Sequence, residues 1–282
     1  MSLDIDHLRS WIGKQETLTD RATLVPVAAL SATLDRDDPA PQPGDPLPPL
    51  WHWLYFLPLA RQSDIGPDGH PKRGGFLPPV PLPRRMWAGG RFEFLKPIGL
   101  EEKITRVSTV ADVTVKQGRA GSLCFVLVRH EVFGENGLAL TEEHDIVYRD
   151  APAPGEPPPA AKPAPSDGVW RRDMVPDDVL LFRYSALTFN GHRIHYDRRY
   201  VTGEEGYPGL IVHGPLIATL LVDLLRRNTD KTLKSFKFRA VSPLFDIAPF
   251  AVCGKPGADG QVSLWAQNAS GGLAMEADAV VG

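Results

Sequence analysis

The chain has 282 residues, 43% of them apolar, which is enough to bury one large core or two ordinary ones. A net charge of −3 excludes the basic excess that drives nucleic-acid binding, and two cysteines, Cys124 and Cys253, both inside apolar runs, exclude a disulfide framework and read as buried thiols. The start, Met1-Ser-Leu-Asp-Ile-Asp6, is not a charged-then-apolar leader, and no window approaches about 18 uninterrupted apolar residues, so a cytoplasmic location with no membrane partner is expected.

In chain order, residues 18–35 carry Leu18, Leu24, Val25, Val27, Ala28, Leu30 and Leu34 at roughly helical spacing, interrupted by Pro26. Residues 37–49 are dense in proline and glycine and read as a loop. The run Leu50-Trp-His-Trp-Leu-Tyr-Phe-Leu57 then reads as two turns of buried helix anchoring the first half. From 61 to 90 the prolines remove backbone donors and exclude helix and central strand, while Phe76, Met86 and Trp87 point to an ordered, functional loop. Strands are expected at Phe92 and Phe94, at 104–115, 123–133 and 138–148, with Glu135-Asn-Gly137 as a hairpin turn. Residues 151–168, with their Pro-Ala repeats, read as a semi-rigid solvated linker. The chain thus divides into 1–150, the linker 151–168, and 169–282.

The second half repeats the plan: a chemistry-rich stretch at 183–216, a buried helix from about Pro215 to Arg227, then strands near 233–239, 250–254, 261–267 and 273–281. Phe92-x-Phe94 with Leu100 and Glu102 recurs as Phe236-x-Phe238 with Leu244 and Asp246, and Gly118-x-x-Gly121 recurs as Gly257-x-x-Gly260. Duplication is the reading these matches favour. A helix wrapped by its own curved antiparallel sheet, twice, leaves one strand edge on each copy, and joining the two sheets edge to edge removes both.

The run Tyr184-Ser-Ala-Leu-Thr-Phe-Asn-Gly-His-Arg-Ile-His195 resembles the motif of MaoC-like enoyl-CoA hydratases, in which a catalytic Asp precedes the catalytic His by five residues. Asn190 and His195 stand at that spacing, and His213-Gly-Pro-Leu216 resembles the segment that opens the central helix of that family. The run from His192 to Asp197, with Phe76-Leu-Pro-Pro79 and Pro83-Arg-Arg-Met-Trp-Ala-Gly-Gly90, resembles the double-hotdog branch of mesaconyl-C4-CoA, itaconyl-CoA and hydroxyacyl-thioester hydratases. The resemblance spans nearly the whole chain. It implies an α+β double hotdog, with two central helices each wrapped by a curved antiparallel sheet and the sheets joined edge to edge. It also implies a hydro-lyase acting on an enoyl-CoA whose acyl group is short, branched and dicarboxylic, such as mesaconyl, methylfumaryl or itaconyl.

Hydration of a double bond conjugated to a thioester needs a base for water, an acid for the α carbon and donors for the enolate oxygen. His195 is the natural base because imidazole titrates near neutral pH. Asn190 cannot accept a proton as an Asp would, so its expected task is to orient water, leaving more proton traffic to His195 or to a carboxylate such as Asp197. Pro215 suits the first helical position, and the amides of Gly214 and Leu216 form an expected oxyanion hole, with room for the carbonyl beside Gly214. His192 and His213 are candidate substrate contacts or packed histidines. Arg193 is open to two uses, a substrate carboxylate or a surface salt bridge. Arg84 and Arg85 are candidates for coenzyme A phosphates, and Trp87 for the acyl chain or adenine if it is not core like Trp51 and Trp53. Asp223 reads as exposed. His52, His70, His130 and His144 stand alone, so the first half reads as a non-catalytic copy that shapes the pocket.

No metal-ligand spacing is complete, so no metal and no cofactor are expected beyond the thioester itself; the expected partners are the acyl-CoA and a second copy in a homodimer. Three rival readings differ in chemistry. They are a hydroxyacyl-thioester dehydratase of fatty acid synthesis, a hotdog thioesterase, which needs an acidic group at the helix start, and a non-catalytic acyl-CoA-binding protein.

Overall fold

The computed structural model describes residues 3–118, 121–150 and 160–282; the first part of the expected linker, 151–159, lies outside them. One antiparallel sheet of ten strands spans both halves, in the order β1-β3-β4-β5-β2-β7-β10-β9-β8-β6. The first half supplies β1 (Gln15–Arg21), β2 (Arg84–Phe94), β3 (Lys103–Gly118), β4 (Gly121–Gly134) and β5 (Gly137–Arg149). The second supplies β6 (Trp170–Met174), β7 (Leu233–Ala240), β8 (Phe250–Pro256), β9 (Gln261–Asn268) and β10 (Leu273–Val281). The second five repeat the first five in mirror order. β2 and β7 join the halves, with Phe92 opposite Phe236. Those two phenylalanines are equivalent in the duplicated pattern, so the pseudo-twofold passes between them, and both are core residues. The expected strands and the β4–β5 turn, with Gly137 at φ 91, are all present.

The second half wraps its sheet around α5 (Gly214–Asn228). Ten consecutive residues of this helix, Leu216 to Leu225, are buried, as a helix enclosed on all sides requires. Pro215 takes its second position, where a missing N–H is equally harmless. Among its described residues the first half has no such helix. Its aromatic run makes a single 3-10 turn, Trp51–Leu54, because Leu50 and Phe56 adopt left-handed backbone (φ 68 and 56) and prolines flank the run on both sides. Among the described residues of that half the α-helices are α1 (Ile5–Arg9) and α2 (Leu24–Thr33), and α2 packs on α3 (Asp178–Leu187) of the other half.

The proline segment also differs from expectation at its end. Arg84 to Gly90 belong to β2, a central strand, because the last proline is Pro83 and every later amide is free to pair. Before it, Val80 and Leu82 are buried, and Arg73 donates to the Leu82 and Pro83 carbonyls at 2.6 and 2.9 Å, so the segment is packed. Of the linker, Lys162 and Ala164 hydrogen-bond back to the β9–β10 turn. Both cysteines are buried and free, and no helix among the described residues is long and apolar enough to cross a membrane.

Candidate active site

His195 ends a 3-10 turn, Arg193–His195, and is 7% exposed. Its Nδ1 lies 2.7 Å from the Ile211 carbonyl oxygen, which can only accept, so Nδ1 carries the proton and Nε2 keeps its lone pair. The ring stacks at 3.7 Å on that of His213, the capping residue of α5, so His195 sits at the start of the central helix. His213 is fully buried, with Nε2 2.8 Å from Ser185 Oγ on α3. At the same helix end, the Gly214 and Leu216 amides have no hydrogen-bond partner among the described residues, and a Cβ built on Gly214 would meet nothing within 4 Å. Two free donors on the positive end of a helix, with open space beside Gly214 and an imidazole at the same helix end, suit a developing oxyanion.

Asn190 shapes the turn before the histidine. Its Oδ1 accepts from the His192 N–H at 3.0 Å and its own N–H donates to the Ser185 carbonyl at 2.8 Å, forming an Asx turn. Asp197 caps the short helix α4 (Arg198–Gly203) by accepting from the Tyr200 N–H, and pairs with Arg193 at 2.8 Å; it is not a free acid.

The structure adds two residues that sequence reasoning passed over. The loop from Gly66 to His70 in the first half docks on the Asn190–Arg193 turn of the second, where Arg193 donates its N–H to the Asp68 carbonyl and a guanidinium N–H to the Pro67 carbonyl, each at 2.9 Å. Gly69 (φ +88) and Gly191 touch backbone to backbone; a Cβ on Gly69 would fall 1.8 Å from the Gly191 oxygen. Asp68 Oδ2 accepts from His70 Nδ1 at 3.0 Å, and the His70 ring lies 4.0 Å from that of His192, which meets His195 edge-on at 5.4 Å. His70 therefore does not stand alone. The Asp-Gly-His spacing within a loop already read as functional was the available signal. Asp68, His70 and His192 also place one ligand-type atom each within 4.8 Å of one another, though a hydrogen bond and a ring contact already account for that geometry.

The other predicted residues are placed as follows. Arg193 is committed to Asp197, to Pro67 and to the Tyr200 ring at 4.1 Å, so it fastens the loop instead of facing a ligand. Arg84 is committed to the Tyr207 hydroxyl and the Glu205 carbonyl. Arg85 makes no ion pair among the described residues; it stands opposite Tyr148 on β5 and its side chain hydrogen-bonds that tyrosine. Trp87 donates to the Gly89 carbonyl and packs among Trp53, Phe238 and His144. Nor do the remaining first-half histidines stand alone: His52 and His144 both bond the buried Glu142, with Trp53 Nε1 donating to it at 2.9 Å, and His130 bonds Ser108.

Burial pulls His195 down to about 4 against the help of its Ile211 bond, and pulls His213, His192 and, despite Asp68, His70 below the ordinary imidazole value of 6.5. Each ring is neutral when folded, whereas in the unfolded chain it binds a proton below about pH 6.5. Stability is thus complete above that pH and falls as pH drops toward 4, by about 1 kcal/mol between pH 7.5 and 5.5 for each of His195 and His192. Urea midpoints at those two pH values measure this, and equal midpoints contradict it.

A family model for hydroxyacyl-thioester dehydratase type 2 matches residues 50–246. The chain is 48% identical over 276 residues, 97% of each chain, to mesaconyl-C(4)-CoA hydratase of Chloroflexus aurantiacus. It is 27% identical over 262 residues, 83% of this chain and 84% of the other, to the mitochondrial hydroxyacyl-thioester dehydratase type 2 of Schizosaccharomyces pombe. Among solved structures, a MaoC-like dehydratase from Phytophthora capsici superposes with a TM-score of 0.66 at 15% identity over 99% of both chains. A Mycobacterium tuberculosis protein described as a double hotdog superposes with 0.57 at 13% over 96% of both. These likenesses show the double hotdog fold. Matched over most of its length by the family model and almost end to end by a close relative, the chain belongs to the hydroxyacyl-thioester dehydratase type 2 family.

Proposed function

We propose that the protein is a hydro-lyase that adds water to, and removes it from, the double bond of an enoyl-CoA, with a short branched dicarboxylic acyl group such as mesaconyl as the favoured substrate. One observation carries the reading: an imidazole with Nδ1 tied to a carbonyl and Nε2 unprotonated, stacked at the open end of a buried helix. Nε2 of His195 takes a proton from water as the water oxygen bonds to the β carbon. The double-bond electrons shift onto the thioester oxygen, held by the Gly214 and Leu216 amides. The imidazolium then returns a proton to the α carbon, so one water is added and the enzyme is unchanged. Asn190 has a side-chain NH2 to orient the water, and no cofactor enters the scheme. The dicarboxylic preference is supported by the 48% identical relative, and the fatty-acyl dehydratase alternative by the 27% identical one. Action in the cytoplasm and pairing as a homodimer belong to the same reading.

Mixing the protein with crotonyl-CoA and with mesaconyl-C4-CoA while following conjugated-thioester absorbance and free thiol tests it. Absorbance loss without thiol is the expected result. Thiol release makes the protein a thioesterase, and tight binding with neither change makes it a non-catalytic binder.

A further inference from the structure

The hydration scheme uses His195, Asn190 and the helix amides, and leaves unexplained why a loop of the first half is locked over His192. That loop brings a hydrogen-bonded couple, Asp68 and His70, whose ring faces His192 at 4.0 Å, one residue contact from His195. Arg85, at the start of β2, is near enough for its charge to act on both His70 and His192; its side chain hydrogen-bonds Tyr148 and makes no ion pair among the described residues. The charged and titratable groups around His70 are Asp68, His192, His195, Arg85 and Arg73. Arg73 is tied to backbone carbonyls, so Asp68 is the single anion among them.

Resting on the hydratase reading of the site, we infer that Arg85, His70 and His192 form the pocket for a second, free carboxylate on the acyl group, with Asp68 holding His70. The placement fits the chemistry of a trans-enedioic monothioester, in which the free carboxylate is bonded directly to the double bond. Its partners must then stand beside the group that activates water, and His192 meets the His195 ring at 5.4 Å. Arg85 supplies the fixed charge and a planar fork that matches a carboxylate. Burial and the Arg85 charge both favour the neutral form of His70 and His192, against the Asp68 carboxylate. A bound carboxylate relieves that repulsion. It lets His70, anchored to Asp68 through Nδ1, take up a proton and donate through Nε2.

The test is the ratio of kcat/KM for mesaconyl-C4-CoA to that for crotonyl-CoA, which has a methyl group where the enedioate has its carboxylate. The wild type should favour the dicarboxylic ester. Arg85→Gln should lower the ratio about 100-fold, chiefly through KM of the dicarboxylic ester, whereas Arg85→Lys should keep it within about tenfold of wild type, since the charge persists without the fork. His70→Gln, on a loop outside the sheet, should lower the ratio about tenfold and supplies the same readout if Arg85→Gln does not fold. An unchanged ratio in Arg85→Gln or His70→Gln overturns the pocket whatever the absolute rates, as does a wild type that prefers crotonyl-CoA. Failure of the wild type to hydrate either ester is instead a failure of the hydratase reading.

Discussion

Replacing His195 by alanine should lower kcat for enoyl-CoA hydration by about three orders of magnitude, the scale of a lost general acid–base group. His195→Gln, which fills the volume but cannot shuttle a proton, should match it. The argument is one of irreplaceability. Asp197 caps α4 and pairs with Arg193, His213 is fully buried with Nε2 on Ser185, and the Asn190 amide does not titrate. Among the described residues the other unpartnered nitrogen at the helix end is His213 Nδ1, on a ring that is fully buried against the stacked His195 and so is closed to water. Asn190→Ala, by contrast, should leave measurable turnover, because it removes a turn and a water contact but no proton carrier. Since burial pulls His195 down to about 4, the wild-type rate should be level from about pH 6 to 8 and fall as pH approaches 4, where the ring becomes protonated and stops acting as a base. Stopped assays of conjugated-thioester loss, with far-UV circular dichroism on the same samples, measure both. Hydration by either His195 variant within about tenfold of wild type sinks the mechanism.

What the sequence made legible was set by how local each signal is. The β-rich runs, the Asn136-Gly137 turn and the apolar stretch of α5 are local patterns, and all appear where expected. The Phe92 and Phe236 repeat was also readable, and it marks the strand pair that joins the halves. The aromatic run at 50–57 misled because apolar content does not distinguish a helix from a single packed turn; the left-handed residues at Leu50 and Phe56 decide that, and neither is a residue type that announces it. His195, Asn190 and Gly214 could be singled out because their chemistry lies within one stretch of chain. Asp68 and His70 could not, because what gives them meaning is a glycine-to-glycine contact with Gly191, more than a hundred residues away. Arg193 illustrates the converse: between two histidines it read equally as a ligand contact or a surface salt bridge, and its partners Asp197, Pro67 and Tyr200 are all protein groups.

Asp223→Ala should destabilise the protein by about 3–5 kcal/mol, the range for breaking a buried ion pair from one side, and lower the melting temperature by on the order of 10 °C. By sequence this aspartate lies among leucines on α5 and reads as a solvated residue. In the fold it is 1% exposed. Oδ1 meets Arg36 at 2.5 Å, and Oδ2 meets Arg172 at 2.6 Å and Arg227 at 2.7 Å. These arginines come from the loop after α2, from β6 and from α5 itself, and Arg172 and Arg227 also donate to the Leu34 carbonyl at 2.7 and 2.9 Å. The aspartate therefore fastens the C-terminal end of the central helix to the first half. A charge this deep is tolerable only with all its partners in place, which is why no reading of α5 alone could have buried it. Its removal leaves three guanidinium groups crowded together, with Asp38 on Arg36 and Asp35 near Arg172 as the carboxylates that remain. Asp173→Ala, which breaks the exposed Arg171 pair, is the matched control and should change stability by less than about 1 kcal/mol. Urea unfolding of the two variants separates the cases, and a loss below about 1 kcal/mol for Asp223→Ala would mean that solvent reaches the cluster and that the helix end is held by its leucines alone.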